Sequence, residues 1–327
     1  LTMENNEIKS YESSLFLKYH KAKVSNLILV RDGRLSSCSL DGALIIYKKH
    51  SFQIDQIIEG KTSINFHLQL NNNDIIILYI IVRYSLLNIR MEIYELNNKK
   101  FKLSQEIKTE LPIYKYMYVN KLLEIDDKTF GLCYKYRCLK IYKKDENNKY
   151  KKVFEKDIQP NSYNHLNILI INKSELASSV TGKRYIEFFD LKNKLEKIAT
   201  INNIHCSERK NSMLMINDIT LIVCGTQSNG IYLIDTKNHI AIKHIMQGFY
   251  FCCMIKLLNG NILVGFKDIY NGSGIVEYKY EKEELLEIKS VKEEKYIYNL
   301  CDMKNGKIAS LPKYNKNIKI WEMFKVH

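Results

Sequence analysis

The chain is short of the residues that usually punctuate a protein. Its 327 residues include three prolines, thirteen glycines and one tryptophan. That scarcity excludes collagen-like, polyproline and glycine-rich linker architectures. Turns must be made by Asn, Asp, Ser and Lys instead. Long apolar runs are missing as well: the longest, Ile75–Val82, is far too short to span a bilayer as a helix. The opening residues Leu1-Thr-Met-Glu-Asn-Asn-Glu7 carry no basic segment and no apolar stretch, so no secretory signal is read there. Met3 is not the first residue, which leaves open a fragment of a longer chain or vector residues. Eight cysteines lie scattered at 38, 133, 138, 206, 224, 252, 253 and 301. Several fall in strand-like stretches, where a free thiol behaves as a small hydrophobe. A reducing compartment, cytoplasm or nucleus, is the expectation.

Local catalytic signatures are equally scarce. There is no phosphate-cradling glycine loop and no Cys-x-x-Cys. Gly225-Thr-Gln-Ser228-Asn-Gly230 lacks the nucleophile-elbow spacing and falls in a strand-turn-strand stretch. Cys133 and Cys138 read as a strand and its hairpin neighbour, and His239 and His244 are five apart with no metal-ligand pattern around them. The expectation is a protein without metal, cofactor or catalytic residues. An enzyme that gathers its groups from distant segments needs no local motif, and would require carboxylates or histidines clustered in space.

What the chain does have is rhythm. His20 to Tyr47 reads as three short strands joined by tight turns at Asp32-Gly33 and Asp41-Gly42. The large residue closing the third strand, Tyr47, returns as Tyr94, Tyr142, Phe189, Ile234, Tyr278 and Trp321, at steps of 47, 48, 47, 45, 44 and 43 residues. The first turn returns at Asn72-Asn73, Asp126-Asp127, Lys173-Ser174, Asn217-Asp218, Asn259-Gly260 and Asn305-Gly306. Two markers in step, with several short strands per period, predict propeller blades. Both faces of a blade are buried, so middle strands should read as continuous apolar runs, and Ile75–Val82 and Leu166–Ile171 fit that. A large ring on the third strand fills the widening wedge between blades, worth about 1.5–3 kcal/mol when buried.

The first repeat resembles the WD-repeat (WD40-like) family residue by residue. His20 stands before the first strand, Ser39 on the second, Asp41 in the following turn, and Tyr47 takes the Trp place. The resemblance implies a buried hydrogen-bond chain through these four, a structural device. Only the last repeat keeps the Trp, as Trp321-Glu322, with Asn315 where the Asp should be, and repeats two to six lack the Asp. The expected fold is all-β: one seven-bladed propeller over 1–327, with blades near 19–59, 60–107, 108–158, 159–201, 202–245, 246–289 and 290–327. Residues 7–17 would supply the fourth strand that the last blade lacks.

The formal net charge is +14, mostly lysine and spread over the repeats. Repeat three is densest, with Lys135, Arg137, Lys140, Lys143, Lys144, Lys149, Lys151, Lys152 and Lys156. Such a balance suits nucleic acid, an anionic surface or an acidic protein, or simply a solvated surface. Basic and aromatic residues also recur where inner strands should begin: Lys21, Lys23, Tyr116, Tyr163, Arg209, Lys210, Tyr250 and Tyr296. Loops from every blade converge at that channel mouth, and Tyr and Arg suit contact surfaces. The expected function is a non-enzymatic scaffold or adaptor that holds a protein partner or peptide on one rim, acidic segments of the partner pairing with its Lys or Arg. The alternative is an RNA- or ribonucleoprotein-associated propeller that uses its basic surface.

Overall fold

The computed structural model describes residues 11–60, 62–83, 86–112, 119–134, 138–157, 166–180, 183–207, 211–225, 230–245, 250–268, 272–293 and 295–323. They form seven four-stranded antiparallel sheets. Blade 1 is β2 (Val24–Leu29), β3 (Leu35–Ser39), β4 (Ala43–Tyr47) and β5 (Ile54–Glu59), from inner to outer. The same order repeats through blade 7, where β26 (Ile297–Asp302), β27 (Lys307–Pro312) and β28 (Ile318–Met323) are completed by β1 (Tyr11–Leu17). β1 pairs with β28 from Tyr11↔Met323 to Leu17↔Ile318, so the first strand closes the last blade and leaves no open seam. The inner strands touch in sequence around the ring, and β26 returns to β2.

The scarcity of glycine and proline has a direct structural answer. Every turn between a first and a second strand is fastened by an Asn or Asp side chain that accepts the backbone N–H two residues on. The seven acceptors are Asp32, Asn72, Asp126, Asn172, Asn217, Asn259 and Asn305, at 2.8–3.2 Å. This local bond does the work usually left to turn glycines. Gly33 is still needed at φ +87°, and Gly60 for space: a Cβ there would lie 2.4 Å from the Tyr79 ring.

The third-strand beat is equally regular. Tyr47, Tyr94, Tyr142, Phe189, Ile234, Tyr278 and Trp321 are all buried. In each blade the pairing with the outermost strand slips by one residue beside this position, from Ile46/Tyr47 in blade 1 to Trp321 in blade 7. A bulge bends the strand and re-aims the side chain, here at the wedge between blades.

Three readings need correction. The hydroxyl in the hydrogen-bond chain of blade 1 belongs to Ser37, not Ser39: His20 Nε2 lies 2.7 Å from Ser37 Oγ, which lies 3.0 Å from Tyr47 Oη. Ser39 instead donates to the Ala22 carbonyl and accepts from the Asp41 N–H. Leu166–Ile171 belongs to an inner strand, β14 (Leu166–Asn172), and its Asn167 is buried with its amide on Ser207 O and Ser212 Oγ of the next blade. Middle strands are not uniformly apolar either. Glu92, Lys140, Glu187 and Glu277 sit buried on third strands, each ion-paired: Glu92 with Arg90, Lys140 with Glu155 at 3.4 Å, Glu187 with Lys197 at 3.3 Å and Glu277 with Lys289 at 3.1 Å. A buried charge is tolerated only when paired.

The blades are stitched together by polar side chains as well as packing. Asn26 donates to His67 O, Asn299 to Asn26 Oδ1, Lys121 to Ile168 O and Lys256 to Ile216 O, all between inner-strand regions of neighbouring blades. On the outside, Gln56 brackets the backbone of Phe101, and Gln105 brackets Tyr150 in the same two-bond manner.

Candidate interaction rim

Inner strands begin, and second strands hand over to third strands, at the same end of the ring, because neighbouring strands are antiparallel. At that end the rim over blades 6, 7 and 1 carries a chain of alternating lysines and tyrosines. Lys267, at the end of β23 (Ile262–Asp268), has its ammonium 5.9 Å from the centre of the Tyr296 ring. Lys313 lies 4.8 Å from the same ring and 4.6 Å from the Tyr314 ring. Lys23 lies 5.0 Å from Tyr314 and 5.3 Å from Tyr298. Ammonium groups are drawn to ring faces at such distances by the aromatic quadrupole, worth about 0.5–1 kcal/mol at exposed sites.

The local sequence builds this arrangement. Tyr296 immediately precedes β26, and Tyr298 lies within it at the bulge between Ile297 and Asn299. Lys313 and Tyr314 occupy the blade 7 turn whose Asn315 accepts the Asn317 N–H at 3.1 Å, as Asp41 accepts that of Ala43 at 3.0 Å in blade 1. Asn315 therefore stands in the Asp41 place by geometry as well as by alignment. Its carbonyl also accepts the Val24 N–H, tying this turn to blade 1 and bringing Lys23 beside Tyr314. Tyr314 is 73 % exposed and holds φ +61°. Large residues rarely adopt that backbone conformation. Phe52 and Leu195 also do so, but both are buried.

Of the residues expected at the rim, Lys23 and Tyr296 are in the chain of contacts. Tyr250 is half-buried and stands directly opposite Lys267 across the blade 6 sheet. Lys21 is exposed beside Lys23 and is anchored by its backbone N–H on the Asp41 carboxylate at 2.7 Å. Burial opposes ionisation of Asp41, but the Ala43 and Lys21 N–H groups and His20 outweigh it and hold its pKa below the usual value. Tyr116, Tyr163, Arg209 and Lys210 lie outside the described residues. Lys267, Tyr298, Lys313 and Tyr314 were missed. The signal for the last two was available, because Asn315 had been placed in a turn at the same end of the blade.

Much of the positive charge of repeat three is arranged differently. In repeat three, Lys144 pairs with Asp74 at 2.9 Å and Glu95 at 3.0 Å, Lys151 with Asp145 at 2.8 Å and Lys152 with Glu155 at 2.7 Å. Lys149 and Lys156 cap carbonyls of neighbouring blades: Ser104 for the first, Lys194 and Leu195 for the second. Lys135 and Arg137 lie outside the described residues. By contrast, among the described residues no carboxylate lies within ion-pair distance of Lys23, Lys267 or Lys313.

A cleft of about 450 Å³ between blades 2 and 3 is lined by Glu106, Lys108, Thr109, Lys140, Tyr142 and Lys152 among others, and its lysines carry the pairs just described or, for Lys108, one to Glu106 at 3.0 Å. Among the described residues no three His, Cys, Asp or Glu side chains gather into a metal-binding group. His239 contacts Glu175 at 2.6 Å, and His244 stacks on Tyr232. No described helix is long and apolar enough to cross a membrane.

The fold is that of a WD40-like seven-bladed β-propeller. Among solved structures, the WD40 β-propeller domain of Doa1 matches 97 % of this chain and 98 % of its own length, at 16 % identity and a TM-score of 0.67. No protein-family model matches the sequence, and no curated protein matches it.

Proposed function

We propose that this propeller is a non-enzymatic interaction platform that holds a protein partner on the rim where its inner strands begin. One observation carries the reading: three lysines and three tyrosines from three blades are collected at one end of a rigid ring, with no carboxylate of the described residues neutralising them. A scaffold built of stitched sheets presents such side chains with little entropy to lose on binding. Propellers of this kind commonly serve as interaction modules. The RNA-associated alternative leaned on the lysines of repeat three and of the last repeat; it draws less support, because Lys140, Lys144, Lys149, Lys151, Lys152 and Lys156 of repeat three are engaged within the ring.

The test is capture from a native-source extract by the purified chain and by a Tyr296→Ala/Tyr314→Ala variant, compared at equal folded concentration. The expected outcome is a discrete set of proteins retained by the parent chain and lost from the variant. An identical set on both would overturn this choice of rim.

A further inference from the structure

We infer that the run Lys267, Tyr296, Lys313, Tyr314, Lys23 and Tyr298 is a docking track for an extended acidic peptide segment, one with carboxylate side chains no more than about three residues apart. The inference rests on the platform reading and specifies what the partner presents to it.

The spacing follows from the shared rings. Lys267 and Lys313 lie 5.9 and 4.8 Å from the centre of one ring, that of Tyr296. Their ammonium groups are therefore no more than about 11 Å apart, the reach of three extended residues. Lys313 and Lys23 lie 4.6 and 5.0 Å from the centre of the next, that of Tyr314. Their separation is thus bounded at about 10 Å, again at most about three residues of extended chain. A peptide laid along the rim from blade 6 to blade 1 meets the next ammonium within each such interval.

The rings also argue against the nucleic-acid alternative. Single-stranded nucleic acid binds by stacking bases on open aromatic faces while cations track its backbone. Here Tyr296 and Tyr314 each carry two lysine ammonium groups within 6 Å of the ring centre. A base stacking on a lysine-covered face must displace that lysine. The rings act as supports that hold the ammonium groups at the rim, and the free capacity of the site is for anions. Each ammonium has three donors and no nearby carboxylate among the described residues, so an incoming carboxylate makes a charge-assisted bond without breaking an existing pair.

Fluorescence anisotropy would test this with three labelled probes: a nine-residue peptide alternating Glu and Ser, its Gln counterpart, and a nine-nucleotide oligouridylate. The parent chain should bind the Glu peptide at least tenfold more tightly than either other probe. Lys23→Glu/Lys313→Glu should lose at least tenfold of that affinity, whereas Lys48→Glu/Lys143→Glu, with the same change in net charge at exposed sites elsewhere, should lose less than threefold. Circular dichroism melts of both variants confirm folding. Equal binding of Glu and Gln peptides, equal loss in both variants, or tighter binding of the oligouridylate would overturn the inference. If the Glu peptide fails while extract capture still depends on Tyr296 and Tyr314, the acidic-segment inference falls and the platform stands. If the Glu peptide binds at the track but no protein is retained there, it is the platform reading that falls.

Discussion

Lysines on blade 3 and lysines on the rim over blades 6, 7 and 1 are the same residue put to opposite uses. Lys144 reaches across a seam, is nearly buried, and meets Asp74 and Glu95. Lys313 reaches over the ring edge and meets two tyrosines. In the first setting the charge is consumed by the fold; in the second it is supported by apolar surface and left for something else. Net charge alone does not distinguish the two, and the densest basic stretch of the sequence turns out to be the one most committed to internal pairing. Where the carboxylates lie decides which lysines are available.

The comparison breaks most visibly at the seam. Asp74 is buried and also accepts from Tyr150 Oη at 2.8 Å, so Asp74→Ala leaves a nearly buried ammonium with only the more exposed Glu95. A loss of about 3 kcal/mol is expected by urea unfolding, in the range for breaking a buried pair. A loss under about 0.5 kcal/mol would show that the seam pairs are ornamental.

A second, smaller effect separates interior from rim by pH. His67 is buried at the blade 1–blade 2 seam, and burial pushes its pKa down to about 3 against a weaker pull from the Ser36 backbone. The unfolded chain takes up a proton near pH 6.5 that the native seam refuses. Stability is therefore full above that pH and falls as the medium becomes more acid, by about 2 kcal/mol at pH 5, with further loss down to about pH 3. His20, lowered by burial against the opposing Asp41, adds in the same direction. Melting temperatures at pH 7 and pH 5 should diverge for the parent chain, and His67→Gln should remove most of the divergence. An unchanged slope in that variant would contradict the assignment.

How much of this was legible in the sequence follows from the range of each interaction. The seven turns and the seven closing residues were readable because each rests on chemistry within a few positions: an Asx acceptor serving the N–H two residues on, and a bulky residue beside a bulge. Ser37 was misread as Ser39 because both hydroxyls share a strand face, and only the position of the His20 ring chooses between them. Apart from Glu92, whose partner Arg90 is two residues away on the same strand, the buried charges on third strands were invisible because their partners come from other strands: Glu155 lies on the adjacent strand, fifteen residues from Lys140, and Asp74 is 70 residues from Lys144. Lys23 and Tyr296 could be placed at the mouth by their position before inner strands. Lys313 and Tyr314 could not, as long as only one kind of loop was credited to that end of the blade.

The most direct test sets one lysine of each kind side by side. Lys144→Ala and Lys313→Ala remove the same charge, and each is measured twice: by urea unfolding, and for affinity toward the Glu-Ser peptide. Loss of stability by about 2–3 kcal/mol with affinity retained is the prediction for Lys144→Ala. For Lys313→Ala the prediction is a loss of only about 1 kcal/mol, that of its ring contacts, with several-fold weaker binding. The reverse pattern, or equal effects on both readouts, would contradict the claim that the ring consumes one set of lysines and offers the other.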